Sequence, residues 1–297
     1  MAIYSIRDLE KLSGIKAHTL RTWENRYGIV QPKRTDTNVR YYLDEDLQLI
    51  LNIALLNKNG LKISKIAKLS KQEIATEVDA ISAENEEEEV LIEAMTLAML
   101  ELDEIRFNRI MDACAQQKGF EQTMLQLIYP FLEKLSLLWL TGSVKPVHEN
   151  FITHLIRQKL MAAIDAVPFV QLQTNKKFFI YLPPGEKQEL SLLSIFYFLK
   201  KEGFPVIYLG QEVSLMDLQD AYKIQPADFI FTIITETFTK SPVQKYINSL
   251  SENFPKSKIL LTGYQIAAQD VNAPENTTLL YSLGEMLTFL QVLKNQG

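Results

Sequence analysis

The chain is poor in cysteine and histidine. Its 297 residues include one cysteine, Cys114, and three histidines, His18, His148 and His154. A single cysteine cannot close an internal disulfide, which is typical of a reducing cytoplasm, and so few Cys and His residues predict no zinc site. No apolar run approaches the roughly 18 residues that cross a bilayer, and the N-terminus lacks the pattern of a signal peptide. We therefore expect a cytoplasmic protein with no bound metal and no membrane partner.

Proline is also scarce at the front, where only Pro32 occurs in the first 129 residues. This scarcity, with apolar residues at helical spacing, predicts short helices over 1–72 and about four longer ones, packed as a bundle, over 88–167. From residue 176 onward, five short apolar runs alternate with helical stretches, which indicates a parallel sheet covered on both faces. Five such strands in about 120 residues are typical of a flavodoxin-like doubly wound domain, whose ligands bind at the carboxyl ends of the strands.

The charge of the chain is divided unevenly. Residues 1–72 carry a net charge of +6, whereas the remainder carries −11. Such an asymmetry is typical of a nucleic-acid-binding end attached to a part that does not bind nucleic acid. We predict a multidomain chain, mainly α plus α/β. Its parts are a winged helix-turn-helix domain (1–73), an acidic linker (74–88), a four-helix bundle (89–170) and the flavodoxin-like doubly wound parallel sheet (171–297).

Residues 6–21 have the spacing of a helix-turn-helix. An amphipathic helix ends at Ser13-Gly14, where glycine permits a tight turn, and a second helix starts at once. Cationic and hydrogen-bonding side chains on the second helix suit the major groove and its flanking phosphates. Residues 32–42 then indicate a two-stranded wing, with Asn38 in a left-handed turn and with Arg34 and Arg40 facing phosphates.

The predicted DNA contacts lie on the second helix and the wing. They are Lys16, His18, Thr19, Arg21, Trp23, Arg26, Arg34, Asn38, Arg40 and Tyr42. Lys16 and His18 are the expected base-reading residues, and Trp23 is expected to pack on the sugar-phosphate backbone. The alternative is a basic helical domain that contacts protein rather than DNA.

The block from Ile6 to Tyr42 closely resembles the MerR-type winged helix-turn-helix. Its second helix carries Thr-Leu-Arg-x-Trp-Glu-x-Arg-Tyr, which is similar to the CarH/LitR branch of that family. The resemblance covers roughly residues 3–70. It implies a homodimer or tetramer on double-stranded operator DNA with dyad symmetry.

The same branch carries a helical bundle followed by a cobalamin-binding doubly wound domain. In that branch the motif Trp-(nine residues)-Glu-His caps the upper face of the corrin. The motif Glu/Asp-x-His-x-x-Gly lies at the lower face, and its histidine ligates cobalt. The positions here that correspond to this site are Trp139, Glu149, Asn150, Glu186, Gln188, Ser191 and Gly263. Asn150 and Gln188 replace the two histidines, and a neutral amide is a poor cobalt ligand, so we expect no cobalamin cofactor. His148 or His154 would replace them only in a shifted helix register.

No catalytic residue set is recognisable in the sequence. It has no glycine-rich phosphate loop after a strand, no Gly-x-Ser-x-Gly elbow and no cluster of metal ligands. We therefore predict a sequence-specific DNA-binding transcriptional regulator and not an enzyme. Two alternatives remain open for the C-terminal part. It responds to cobalamin or another ligand without an axial histidine, or it is controlled by a protein partner such as an antirepressor.

Overall fold

The computed structural model describes residues 4–34, 38–84, 88–140, 144–168, 176–236 and 243–295. The chain divides into two compact units, Met1–Leu155 and Ile156–Gly297. The division falls inside the helix Pro146–Ala166. Residues 156–166 of this helix belong to the second unit, in which the ammonium of Lys200 donates to the carbonyl of Ile164 over 2.7 Å.

The first part of the N-terminal unit is a winged helix-turn-helix. Its elements are α1 (Ile6–Ser13), α2 (Ala17–Tyr27), β1 (Lys33–Arg34), β2 (Arg40–Tyr41), α3 (Asp44–Lys58) and α4 (Ile63–Ile66). Ser5 caps α1 in a reciprocal capping box with Asp8, and Gly14 ends it with a φ of 71°, which confirms the predicted glycine turn. The antiparallel pair β1–β2 confirms the two-stranded wing.

The predicted acidic linker over 74–88 is wrong for residues 74–84, because they belong to the helix α5 (Lys71–Glu84). Ile74 and Val78 are one helical turn apart, and both are buried in the N-terminal unit. Ser70 and Glu73 form a capping box at its start, since each backbone amide donates to the other residue's side chain. The capping box was readable in the sequence, but the acidic run that follows it drew the prediction toward a linker.

The helical bundle follows α5. Its helices are α6 (Glu88–Glu101), α7 (Glu104–Lys118), α8 (Phe120–Thr123), α9 (Tyr129–Leu140) and α10 (Pro146–Ala166). A π-helical turn, Met124–Ile128, joins α8 to α9, so these form one continuous helical stretch and the predicted four stretches are present. Pro130 has no amide hydrogen, and just before it the amide of Tyr129 bonds five residues back to Met124. No helix among the described segments is long and apolar enough to cross a bilayer.

The C-terminal unit is built on a five-stranded parallel sheet. Its elements are β3 (Phe178–Tyr181), α11 (Glu189–Lys201), β4 (Val206–Gly210), α12 (Leu215–Ile224), β5 (Phe229–Ile233), α13 (Val243–Asn253), β6 (Lys258–Thr262), α14 (Tyr264–Ala268), β7 (Thr277–Leu279) and α15 (Leu283–Asn295). The strand order β4-β3-β5-β6-β7 is that of a flavodoxin-like doubly wound fold, which confirms the prediction. Every residue of β3 and β5 is buried, as expected for central parallel strands.

Candidate DNA-binding surface and cobalamin-type crevice

The helix α2 has one exposed and one buried face. Leu20 and Trp23 are buried, and the half-buried Tyr27 continues their row at a spacing of three to four residues. The opposite face is exposed and polar. It presents His18, Arg21, Thr22, Asn25 and Arg26. Asn25 was missed by the sequence interpretation, although it lies one helical turn from Arg21 and its amide suits an adenine edge.

The prediction of Trp23 and Tyr42 as DNA contacts is wrong about where these side chains lie. Trp23 is 8% exposed and Tyr42 is fully buried. Trp23 follows Leu20 by three residues and therefore shares its core-facing side. Tyr42 is held in an antiparallel bridge with the buried Tyr4. Both rings stabilise the domain and do not present a surface to DNA.

Glu24 links α2 to the wing. The Tyr42 hydroxyl donates a short hydrogen bond to one carboxylate oxygen of Glu24, and Arg40 Nε lies 3.9 Å from the other. The Glu24 side chain is only 8% exposed. Burial, and then the hydrogen bond to this carboxylate and its charge, raise the pKa of Tyr42 well above its ordinary value. The helix α2 and the wing are therefore fixed to each other by a buried polar contact.

The wing turn is braced by a side-chain contact. Arg34 Nη1 donates to Asn38 Oδ1 over 2.7 Å, and both residues are exposed. Asn38 has a φ of 64°, which confirms the predicted left-handed turn. This geometry places a guanidinium on the outer side of the wing, in line with the expected phosphate contact.

The start of α2 is held by Glu10 of α1. One Glu10 oxygen accepts from the amide of Ala17 over 3.2 Å, and the other lies 3.2 Å from the Lys16 ammonium. These hydrogen bonds, the one from Lys16 first, lower the pKa of Glu10. The Lys16 side chain is still 72% exposed. His18 is exposed in the first turn of α2, and the neighbouring Thr19 is half-buried. The Thr19 hydroxyl oxygen lies 3.3 Å from Nε2 of the His18 ring.

At the carboxyl edge of the sheet, Glu186 is a structural anchor. Glu186 is only 1% exposed. One of its carboxylate oxygens accepts hydrogen bonds from the backbone amides of Thr235 and Glu236 over 2.6 and 3.0 Å. The other oxygen accepts from the amide of Lys187. A carboxylate with three backbone donors is satisfied where it stands. Glu186 therefore joins the loops that follow β3 and β5.

Gln188 and Ser191 bond to each other at the start of α11. The Ser191 hydroxyl donates to Gln188 Oε1 over 3.4 Å, and both residues are half-buried. Glu189, the first residue of α11, forms an ion pair with Arg157. Burial, followed by the charge of Glu189, raises the pKa of Tyr208 to about 12.

The loop after β6 closes tightly on the loop after β5. A Cβ added to Gly263 would lie 2.4 Å from the carbonyl oxygen of Ile234, and its φ is 116°. The neighbouring Tyr264 is 67% exposed. The two loops thus touch through backbone, which leaves no room for a side chain between them.

These residues do not fit a cobalamin ligated by the protein at the lower face. The position that would carry the imidazole has a neutral amide, and its oxygen accepts the Ser191 hydrogen bond. Within the first unit, Glu149 and Asn150 are exposed on α10, and His148 Nδ1 accepts from the amide of Lys145 over 3.2 Å.

Two further observations complete the cobalamin-type positions. Trp139 lies in α9, and its side chain is outside the described part of the structure. His154 is exposed on α10. Among the residues described, no group of three or more His, Cys, Asp or Glu side chains is placed to hold a metal ion.

Two family models match the chain in the order of its domains. Residues 4–73 match the MerR HTH family regulatory protein, and residues 91–163 match a B12 binding domain. The first segment covers the winged helix-turn-helix, and the second covers the bundle from α6 into α10. The DNA-binding domain and the bundle each therefore match a family model, in the order in which they occur along the chain.

The chain is similar to several curated transcriptional regulators. The HTH-type transcriptional repressor CarH of Myxococcus xanthus is 27% identical over 76% of this chain and 77% of its own length. CarA, a repressor of the same organism, is 25% identical over 94% of this chain and 90% of its own. The regulator MlrA of Escherichia coli is 35% identical over 31% of this chain and 37% of its own. The chain is a DNA-binding transcriptional regulator of the MerR helix-turn-helix type with a B12-binding domain, homologous to CarH and CarA.

Proposed function

We propose that this regulator binds a dyad operator as a homodimer or tetramer in the cytoplasm, and that it is not an enzyme. The observation that carries the proposal is the polar face of α2, which is exposed along its whole length while the opposite face is buried. An α-helix fits the major groove, and two such helices related by a dyad read half-sites on one side of the DNA.

The side chains of this surface divide into two roles. His18, Arg21 and Asn25 have the hydrogen-bonding groups that read base edges, and Lys16 lies beside them at the start of α2. In this proposal Arg34 and Arg40 of the wing contact phosphates, which position the protein without reading sequence. Asn25 joins the expected base-reading residues, Lys16 and His18, whereas the buried Trp23 and Tyr42 have no contact with DNA in this proposal.

The wing is tested by salt dependence. An operator is first selected from random duplex DNA, and binding is then measured by fluorescence anisotropy over a series of salt concentrations. Arg40→Ala should weaken binding to all sequences and reduce the slope of log K against log salt by about 0.9, because one phosphate contact is lost. Lys245→Ala, at an exposed position of α13, is the control and should leave the slope unchanged. An unaltered slope for the arginine variant would reject its phosphate contact.

We further propose that the C-terminal unit serves assembly and sensing without cobalt ligation by the protein. The amide at position 188 and its bond to Ser191 support this. The second candidate is a cobalamin-responsive regulator, which the match of residues 91–163 favours. A partner protein, an antirepressor for example, is the third way to control it.

One measurement separates these possibilities. The purified chain is incubated with adenosylcobalamin in the dark, desalted, and its absorbance spectrum recorded beside that of the free cofactor. We expect a colourless protein, because Gln188 stands where the family has the histidine whose imidazole ligates cobalt. Retained cobalamin absorbance would contradict the proposal and make light-dependent assembly the next question. A colourless protein that forms a stable complex with a second protein would favour control by a partner.

A further inference from the structure

A pocket lies within the N-terminal unit, between the helix-turn-helix and the bundle. We call it the HTH–bundle pocket, and its volume is about 480 Å³. Its walls come from the turn between α1 and α2, from α3 and α6, and from Lys134 and Val144. Sites for drug-sized ligands commonly measure about 300–1,000 Å³, so this volume suits a small organic molecule.

The charged groups of the pocket do not balance. Lys58 Nζ lies 2.6 Å from a Glu89 oxygen and 3.2 Å from a Glu93 oxygen, so both acidic groups already share one cation. Burial alone would lower the pKa of Lys58, but its bonds to these carboxylates outweigh that effect and raise it. Lys11 and Lys134 complete the charged lining. Three cations face two anions, which leaves an excess of one positive charge.

Lys134 carries the least compensated of these charges. It lies on α9 and is half-buried, and burial lowers its pKa although Glu93 and Glu89 act in the opposite sense. Among the described residues no carboxylate approaches it within 4.0 Å. A partly desolvated ammonium without a close counter-ion is unfavourable, and an anion that enters the pocket would relieve this.

The rest of the lining combines the polar Ser13, Asn57 and Thr96 with an aliphatic wall. This wall includes Leu47, Leu51, Leu97 and Leu100. A concave site with an apolar wall and one convergent charge selects molecules with an apolar body and a single charged head. Charge complementarity fixes the sign of that head as negative.

The pocket also reaches the turn that positions the base-reading helix. Ser13, Gly14 and Ile15 line it, and α2 begins two residues later. The Ser13 hydroxyl bonds to the Leu9 carbonyl and accepts from the amide of Ile15, so the turn is ordered by short local contacts. An occupant of the pocket would therefore contact the segment that sets the direction of α2.

We propose that the HTH–bundle pocket binds a small amphipathic monoanion, with a carboxylate at Lys134 and an aliphatic chain along the leucines of α3 and α6. Its occupancy changes affinity for the operator through the turn at Gly14. This second effect rests on the proposed DNA-binding function, whereas binding of the monoanion does not.

Isothermal titration calorimetry of the full chain with octanoate tests the site. We expect saturable binding of octanoate and binding of 1-octanol at least about tenfold weaker, because the alcohol lacks the charge. Lys134→Met should weaken octanoate binding about tenfold and leave 1-octanol unchanged. Lys245→Met, on an exposed face of α13, is the matched control and should bind octanoate as the unaltered chain does.

A second variant guards against a failure to fold. Ala54 lines the pocket and is half-buried, so Ala54→Phe should fill the space and abolish binding of both octanoate and the alcohol. Equal affinity for octanoate and 1-octanol, no effect of Lys134→Met, or no effect of Ala54→Phe would overturn the proposal. If octanoate binds but the chain binds no DNA, the proposed function fails and the site stands. If operator binding is intact and octanoate does not bind, the proposed ligand site fails and the proposed DNA-binding function stands.

Discussion

Glu24 is the residue on which the geometry of the DNA-binding surface depends most directly. It stands on α2 beside exposed polar residues, yet its own side chain points to the core side, where Tyr42 and Arg40 contact it. A buried carboxylate requires partners, because an unsatisfied one loses the free energy of its hydration. The motif Trp23-Glu24 therefore contributes one ring and one acceptor to the interior of the domain.

Tyr42→Phe tests this contact. The substitution removes the hydroxyl that donates to Glu24 and keeps the ring, so we expect the free energy of unfolding to fall by about 1–3 kcal/mol. Urea denaturation followed by circular dichroism measures it. Tyr41→Phe is the matched control, since Tyr41 is only half-buried in β2, and its effect should stay within about 0.5 kcal/mol. Equal losses for both variants would show that the Glu24 contact has no special weight.

At the scale of the elements, the sequence predicted most helices and strands but not which way every side chain faces. All five strands of the parallel sheet overlap the predicted apolar runs. The signal is clearest for the fully buried β3 and β5, because strands buried on both faces carry few polar residues. Trp23 was assigned to the wrong face since a tryptophan beside arginines suggests stacking on DNA. The spacing of three residues from Leu20 was the better guide to its burial.

The helix α5 shows a second limit of prediction from sequence. It leads directly into the acidic run, and among its positions whose burial the structure describes, Ile74 and Val78 are the buried ones that distinguish it from a linker. Packing of a helix depends on partners distant in sequence, here α3, α6 and α7. The tight approach of Gly263 to Ile234 was likewise not predictable, because it joins two loops separated by about thirty residues.

At the scale of the whole molecule, buried tyrosines link stability to alkaline pH. Burial raises the pKa of Tyr246 to about 12 and that of Tyr181 well above its ordinary value, and the hydroxyls of this pair lie 2.8 Å apart. Burial also raises the pKa of Tyr208 and of Tyr42. When the pKa of a tyrosine is raised in the folded state, the free energy of unfolding is unaffected at pH values below the pKa of the unfolded chain, which is near 10. It falls as the pH rises from that value toward the pKa of the folded state.

We therefore expect the free energy of unfolding to decline steeply between about pH 10 and 12, by up to about 1.4 kcal/mol per pH unit for each such tyrosine. Urea titrations at several pH values measure the decline, and absorbance of the phenolate reports how many of the twelve tyrosines ionise in the folded chain. Tyr246→Phe should make the decline shallower, because it removes one group whose ionisation is resisted by the fold. Tyr281→Phe, at a residue 58% exposed, should leave the decline unchanged. If all twelve tyrosines ionised near pH 10 while the chain stayed folded, burial would not control their pKa values and the expected decline would not occur.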